Sequence, residues 1–172
     1  MKTIRVALAF LLVAALSGCG FHLRSALVLP TDLGPVAVTA RDPYSPLADS
    51  LARALENAGA APADAKAEGA TKLEILSEKW ADLPISVDTQ GRAQEYSLRY
   101  AVVFRLRKAD DSMIVPQQAV ELSRDYIAPP SDSIGRNSER ELLVTEMRRD
   151  MSAAILRRID AALRAPAAAK AP

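Results

Sequence analysis

The sequence predicts a two-layer α/β sandwich, with two helices packed on one face of a mixed, mostly antiparallel sheet of about four strands. Three observations predict it. Tyr96, Leu98, Tyr100, Val102, Phe104 and Leu106 take alternate positions, the period of a strand with one buried face. Leu47, Leu51, Leu55 and Ala58 recur every three or four residues, and so do Leu143, Met147, Met151, Ile155, Ile159 and Leu163. That is the period of a helix with one apolar stripe. The order is strand, helix, three strands, long helix, so both stripes need a sheet face to cover.

Val36-Ala37-Val38-Thr39-Ala40 is a short β-rich run. Ser45 has the chemistry of an N-cap, Pro46 suits the first helical position, and Gly59 suits the residue after the helix. The helix crosses between strands, so the first strand can pair in parallel. Residues 60–70 lack any period and read as a loop. Leu73 and Ile75 alternate with Lys72 and Glu74, while Pro84 interrupts before Ile85-Ser86-Val87. A strand that bends or bulges near Asp82 and then resumes accounts for this. Asp88 to Arg92 is a polar turn with Gly91 for positive φ. After the long alternating strand, Lys108 to Ser112 is a turn. Met113 to Val115 reads as a short stretch of strand, and Val120, Leu122 and Tyr126 as another. Ala128-Pro129-Pro130 breaks it, and 131–137 reads as a polar loop carrying Arg136. Ser138 with Glu141 fits a capping box. The last helix then runs to about Arg164, and Pro166 stops it.

The N-terminus has a different character. Lys2 and Arg5 precede an apolar run from Val6 to Leu16, followed by Ser17, Gly18 and the single cysteine, Cys19. This is signal-peptide anatomy, too short for a span of roughly 20 apolar residues. The Leu16-Ser17-Gly18-Cys19 ending resembles the bacterial lipobox. It implies diacylation of the Cys19 thiol, cleavage before Cys19 and acylation of the new N-terminus. The expected divisions are therefore 1–18 as a lipoprotein signal peptide, 19–35 as a lipidated tether, 36–165 as the α/β domain and 166–172 as a disordered Ala/Pro tail. Two or three acyl chains hold a protein stably at a membrane. Gly20 in place of an aspartate points to export to the outer membrane. With Cys19 acylated, no thiol remains for a disulfide.

Removing Lys2 and Arg5 from the 22 basic residues leaves 20 against 21 acidic ones, a net charge of about −1. That balance argues against nucleic acid as a partner. Aromatic residues make up only 5%, too few for stacking platforms. His22 is the only histidine, so a histidine-based triad or multi-histidine metal site cannot form within one chain. No serine sits in a glycine-framed elbow, and no glycine-rich phosphate loop is present. The sequence therefore points away from an enzyme, and implies no metal or cofactor.

Arginines are more informative. Arg92 lies in the hairpin turn and Arg136 before the last helix, in loops expected to project from the ends of the sheet. Arginine forks grip phosphate with two parallel hydrogen bonds, which suits a phosphorylated glycolipid. Ordinary solvated loop arginines are the alternative. Arg99, Arg105 and Arg107 share a strand face that is either simply solvated or docked into a polar protein lumen. The Met147/Met151 stripe reads as core packing.

The opening Cys19-Gly20-Phe21-His22-Leu23-Arg24 resembles the start of the mature LptE (RlpB) lipoproteins. Gly91-Arg92-Ala93-Gln94-Glu95-Tyr96 is similar to that family's polar turn ending in Glu-Tyr. Glu141 to Ile159, with Glu146-Met147 near its centre, resembles its final helix. The resemblance covers nearly all of the mature chain. It implies an outer-membrane lipoprotein that plugs the LptD β-barrel, assists its assembly and helps insert lipopolysaccharide into the outer leaflet, binding lipopolysaccharide directly. Arg136 falls where the family's basic loop residue is expected. In the hairpin the family's basic residue precedes the turn glycine, where this chain has Thr89 and Gln90, so Arg92 is the candidate substitute. The competing readings are a lipid-anchored accessory subunit of a periplasm-spanning lipid or small-molecule transporter, and a lipid-anchored hydrolase.

Overall fold

The computed structural model describes Leu29, residues 33–128 and residues 133–165, with side chains described from Ser138 onward in the last segment. The expected signal peptide, Cys19, His22, the Pro129-Pro130 pair and the Ala/Pro tail lie outside the described residues. Four strands and two helices follow in the order β1 (Val36–Ala40), α1 (Pro46–Asn57), β2 (Thr71–Val87), β3 (Ala93–Arg107), β4 (Met113–Ile127) and α2 (Ser133–Arg164). The strands lie side by side in sequence order. β1 runs parallel to β2, while β2–β3 and β3–β4 are antiparallel. The expected two-layer α/β architecture is the one observed.

Local chemistry accounts for the elements. Ser45 caps α1 by accepting the amide of Ala48 at 3.2 Å, with Pro46 next in line. Gly59, at φ +97°, closes the helix, and the Ala60 amide reaches back to the Leu55 carbonyl. Leu47, Leu51 and Leu55 are buried. So are Leu98, Tyr100, Val102, Phe104 and Leu106 on one face of β3, and Met147, Met151, Ile155 and Ile159 along α2. Both helices cover the same face of the sheet, as the alternation in β3 requires. Each of these leucines and isoleucines contributes about 1.5–3 kcal/mol by burial. Leu33 is buried and Leu29 packs on the same core, so the core takes in residues ahead of β1. The Thr71 hydroxyl donates to the Leu33 carbonyl at 2.6 Å and the Thr71 amide to the Pro35 carbonyl.

Three expectations need correction. β2 is one continuous strand, and its irregularities fall at Leu76 and near Ile85, while Asp82 pairs regularly with Leu98. Pro84 is tolerated because β1 ends opposite Ile75, leaving this half of β2 at an edge where no amide is needed for a ladder. β4 is also one strand. Pro116 and Gln117 are absorbed in a bulge between the Val115–Leu106 and Gln118–Phe104 pairs, on an edge strand where a missing amide costs little. Finally, the segment 133–137 is helical rather than a loop, so Arg136 lies in the first turns of α2 and Ser138 is inside the helix. A single Gly135 costs only about 1 kcal/mol in a helix, too little to end one otherwise supported by packing. The helix is therefore about 48 Å long at 1.5 Å per residue.

Candidate functional site

The antiparallel register brings the two arginine-bearing segments to one end of the sheet. The β2–β3 turn spans Asp88 to Arg92, and the Ala128 amide, just past β4, donates to the Gln94 carbonyl at 2.7 Å. α2 starts a few residues later, so Arg136 is carried at the same end as Arg92. The side chain of Arg136 lies outside the described residues.

Asp88 organises the turn. One of its carboxylate oxygens accepts the Gln90 and Arg92 amides at 2.9 Å. The other accepts Arg92 Nε at 2.8 Å and the Gln94 amide nitrogen at 3.1 Å. The Arg92 backbone bond leads in holding the Asp88 carboxyl below the usual carboxylate range. Gly91, at φ +77°, supplies the left-handed step. Arg92 is thus tethered through Nε, while its side chain stays 60% exposed with its outer nitrogens directed to Gln90 and solvent. A guanidinium held this way still has donors for an incoming anion.

A second cluster fixes α2 over this end. Asp82 of β2 accepts both Arg140 Nε at 3.0 Å and Arg140 Nη2 at 2.9 Å, and also the Tyr126 hydroxyl at 3.0 Å. The Arg140 hydrogen bonds are the main reason the Asp82 carboxyl lies below its ordinary range. Burial, then the bond to Asp82, pushes Tyr126 up to about 12. Tyr126 stacks on Tyr96 across β3–β4. Deeper in, Glu78 accepts the Tyr100 hydroxyl at 2.6 Å and the Ser45 hydroxyl at 2.9 Å, and Trp80 stacks on Tyr100 with Arg148 above its ring. None of these contacts follows from a local motif; sequence spacing gave no signal for them.

Around the same end, β2 and β4 finish in exposed apolar side chains. Val87 and Ile127 are each 62% exposed, and Leu83 and Ile85 are also open. Cationic donors beside exposed aliphatic groups suit an amphiphile that carries both phosphate and acyl chains.

The outer face of the sheet is not a bank of free arginines. Arg105 and Arg107 both pair with Glu74, at 2.5 and 3.1 Å, and Arg99 approaches Glu121 at 3.6 Å. Burial resists ionisation of Glu74, but the two arginines overcome it and lower its pKa. The face is polar and largely self-neutralised. Among the described residues, no group of His, Cys, Asp and Glu is placed to hold a metal, and no helix is long and apolar enough to cross a membrane.

Comparisons with known proteins agree with this architecture. The family model described as LptE, lipopolysaccharide-assembly, matches residues 33–159. The LPS-assembly lipoprotein LptE of Photorhabdus laumondii is 27% identical over 149 residues, covering 87% of this chain and 81% of the relative. That of Yersinia pestis is 29% identical over 150 residues, covering 87% and 72%. Among solved structures, lipoprotein B of Nitrosomonas europaea superposes with a TM-score of 0.70 at 25% identity, over 88% of this chain and 97% of that one. The rare lipoprotein B of Shewanella oneidensis gives 0.62 at 25% identity, over 72% and 92%. The match spans β1 through most of α2 and takes in the buried stripe of every element, so this chain belongs to the LptE family of non-enzymatic lipopolysaccharide-assembly lipoproteins.

Proposed function

We propose that this protein is anchored to the outer membrane through Cys19, plugs the LptD β-barrel and assists its assembly. We further propose that it binds lipopolysaccharide directly at the end of the sheet carrying Arg92 and Arg136. Membership of the LptE family supports a role in lipopolysaccharide assembly. The observation that carries the finer reading is the convergence of the β2–β3 turn and the start of α2 at one end of the sheet, beside the exposed Val87 and Ile127. There, arginine forks meet phosphate and the aliphatic rim meets acyl chains. The self-neutralised outer face suits a polar barrel lumen, and a domain of this width fits only a wide barrel. Binding is stoichiometric, with no bond made or broken.

The test is affinity purification from detergent-solubilised outer membranes through a C-terminal tag. A one-to-one complex with a single large β-barrel protein is the expected result. Recovery alone, or with an inner-membrane transporter, sinks the plug reading and favours a transporter accessory subunit. For the glycolipid, Arg92→Glu with Arg136→Glu should weaken lipopolysaccharide binding at every salt concentration tried. Unchanged binding removes the two arginines from the site.

A further inference from the structure

A second basic site lies at the opposite end of the sheet. The β3–β4 turn at 108–112, the loop before β2 and the first residues of β2 enclose a cavity of about 270 Å³. Lys66, Lys72, Arg107 and Lys108 line it, together with Glu68 and Asp111. Arg107 is already spoken for: it forks onto Glu74 and also pairs with Asp111. Lys66, Lys72 and Lys108 make no salt bridge among the described residues; Glu68 is the one lining carboxylate without an arginine partner, and Asp110, just outside the lining, attracts Lys108. Lys72 also sits directly across the strands from Arg107, so two cations stand side by side in the register. Glu74 and Asp111 already answer Arg107, so what an incoming anion meets at this end is the charge of the lysines.

The position of this cavity narrows the choice of anion. Its wall includes Gly69 and Ala70. Gly34 lies against the Gly69 carbonyl, and the Pro35 carbonyl is bonded to Thr71. The chain from Cys19 therefore joins the fold at this end. Leu33 is 14 residues after Cys19, so even a fully extended connection holds the cavity within roughly 50 Å of an acylated cysteine. A basic cavity kept close to a bilayer surface meets phosphate at high local concentration.

We infer that the Lys66–Lys72–Lys108 cavity binds the phosphate of anionic phospholipid headgroups in the leaflet that holds the anchor. It is separate from the glycolipid end of the domain and orients the domain with that end away from the leaflet.

The experiment uses the full mature chain carrying Cys19→Ser, so that acyl chains do not dominate, and reads co-sedimentation with vesicles. Wild-type side chains should bind phosphatidylglycerol-containing vesicles and not pure phosphatidylcholine vesicles. Each lysine near an anionic surface changes partitioning about fivefold, so Lys66→Gln, Lys72→Gln and Lys108→Gln together should lose binding by a factor on the order of 100. The matching Lys→Arg triple should retain it. Arg53→Gln, Lys79→Gln and Arg157→Gln remove the same charge from exposed positions elsewhere and should lose far less. Equal loss in both glutamine triples means that net charge, not this cavity, drives association, and overturns the inference. So does failure of the chain to bind anionic vesicles at all. Micromolar binding of soluble glycerol phosphate without vesicles makes the site one for a free phosphate compound and overturns the headgroup assignment.

Discussion

Asp82→Asn tests how α2 is held over the candidate glycolipid end. The substitution is isosteric and keeps an acceptor for the Tyr126 hydroxyl, so it removes chiefly the charge facing Arg140. A hydrogen bond to a charged group contributes about 1.5–3 kcal/mol against about 1 for a neutral pair. Two such bonds are involved, which puts the loss at about 1–4 kcal/mol before screening. The Arg140 and Asp82 side chains are 36% and 31% exposed, and solvent screening reduces the figure to about 1 kcal/mol. In a domain of this size that is roughly a 3 °C fall in Tm. Urea denaturation across the pH range is the better assay, because the sign is fixed. Asp82 has a lowered carboxyl pKa in the fold. Its contribution is fully present above the unfolded value of roughly 4 and disappears as pH falls through the folded value. Wild type and Asp82→Asn should therefore differ at pH 7 and converge in acid. A difference that persists unchanged at low pH would refute the charge argument, and no difference at pH 7 would show that Arg140 is held by packing alone.

Met151 is fully buried in the middle of α2, and Met151→Ala should cost about 2–5 kcal/mol in urea denaturation. Ser45→Ala removes both the α1 cap and the bond to Glu78, and a loss of about 1–2 kcal/mol is expected, read the same way. In Gly91→Ala the added Cβ meets no neighbour within 4 Å, but the position is held at φ +77°. A loss of about 1–2 kcal/mol from backbone strain alone is expected, with the hairpin amides of Asp88 and Arg92 exchanging faster with solvent.

The elements with an uninterrupted period were legible in the sequence. The alternation from Tyr96 to Leu106 and the four-residue stripe of α2 each mark one face, and a single buried face leaves no freedom in register. β2 and β4 were harder because a bulge shifts the pattern by one residue. In β2, Leu73 and Ile75 point to the core, but beyond Leu76 it is Glu78, Trp80 and Asp82 that share the core-side register with β3. The odd-numbered Leu83 thus turns outward and is exposed. In β4 the shift at Pro116 and Gln117 moves the core side from Val115 to Val120, which reads as two strands. The start of α2 was hidden for another reason. Residues 133–137 hold a single large apolar side chain, Ile134, and so carry no stripe, and Ser138 with Glu141 imitates a cap inside the helix. At the candidate site, Arg92 was recognisable from its turn. The Asp82–Arg140–Tyr126 cluster was not, since its members come from three elements and meet only in the folded register.

The sheet leaves two edges that bear on how the domain would meet the proposed β-barrel. β4, and β2 beyond Ile75, have no further strand partner among the described residues. Bare edges invite strand addition, and proteins blunt them with proline, bulges and charge. Here Pro84 and the irregularity at Ile85 interrupt one edge, and Pro116 with its bulge interrupts the other. Lys79, Asp82, Glu121 and Asp125 add charge along them. β1 is covered differently, by the 61–63 segment bonded to both polar groups of Val36. Such edges are poor templates for joining the wall of a barrel through backbone hydrogen bonds. Contact with a barrel should instead run through side chains of the outer face, where Glu74 and Glu121 pair with arginines. Ion pairs formed across such a contact weaken with salt, because the screening length falls from about 10 Å at 0.1 M to about 3 Å at 1 M. The purified barrel complex should accordingly loosen as salt rises, while the domain itself stays folded by circular dichroism. A complex indifferent to salt, combined with loss of association on placing a second proline in β2, would instead mean that the blunted edge is used after all.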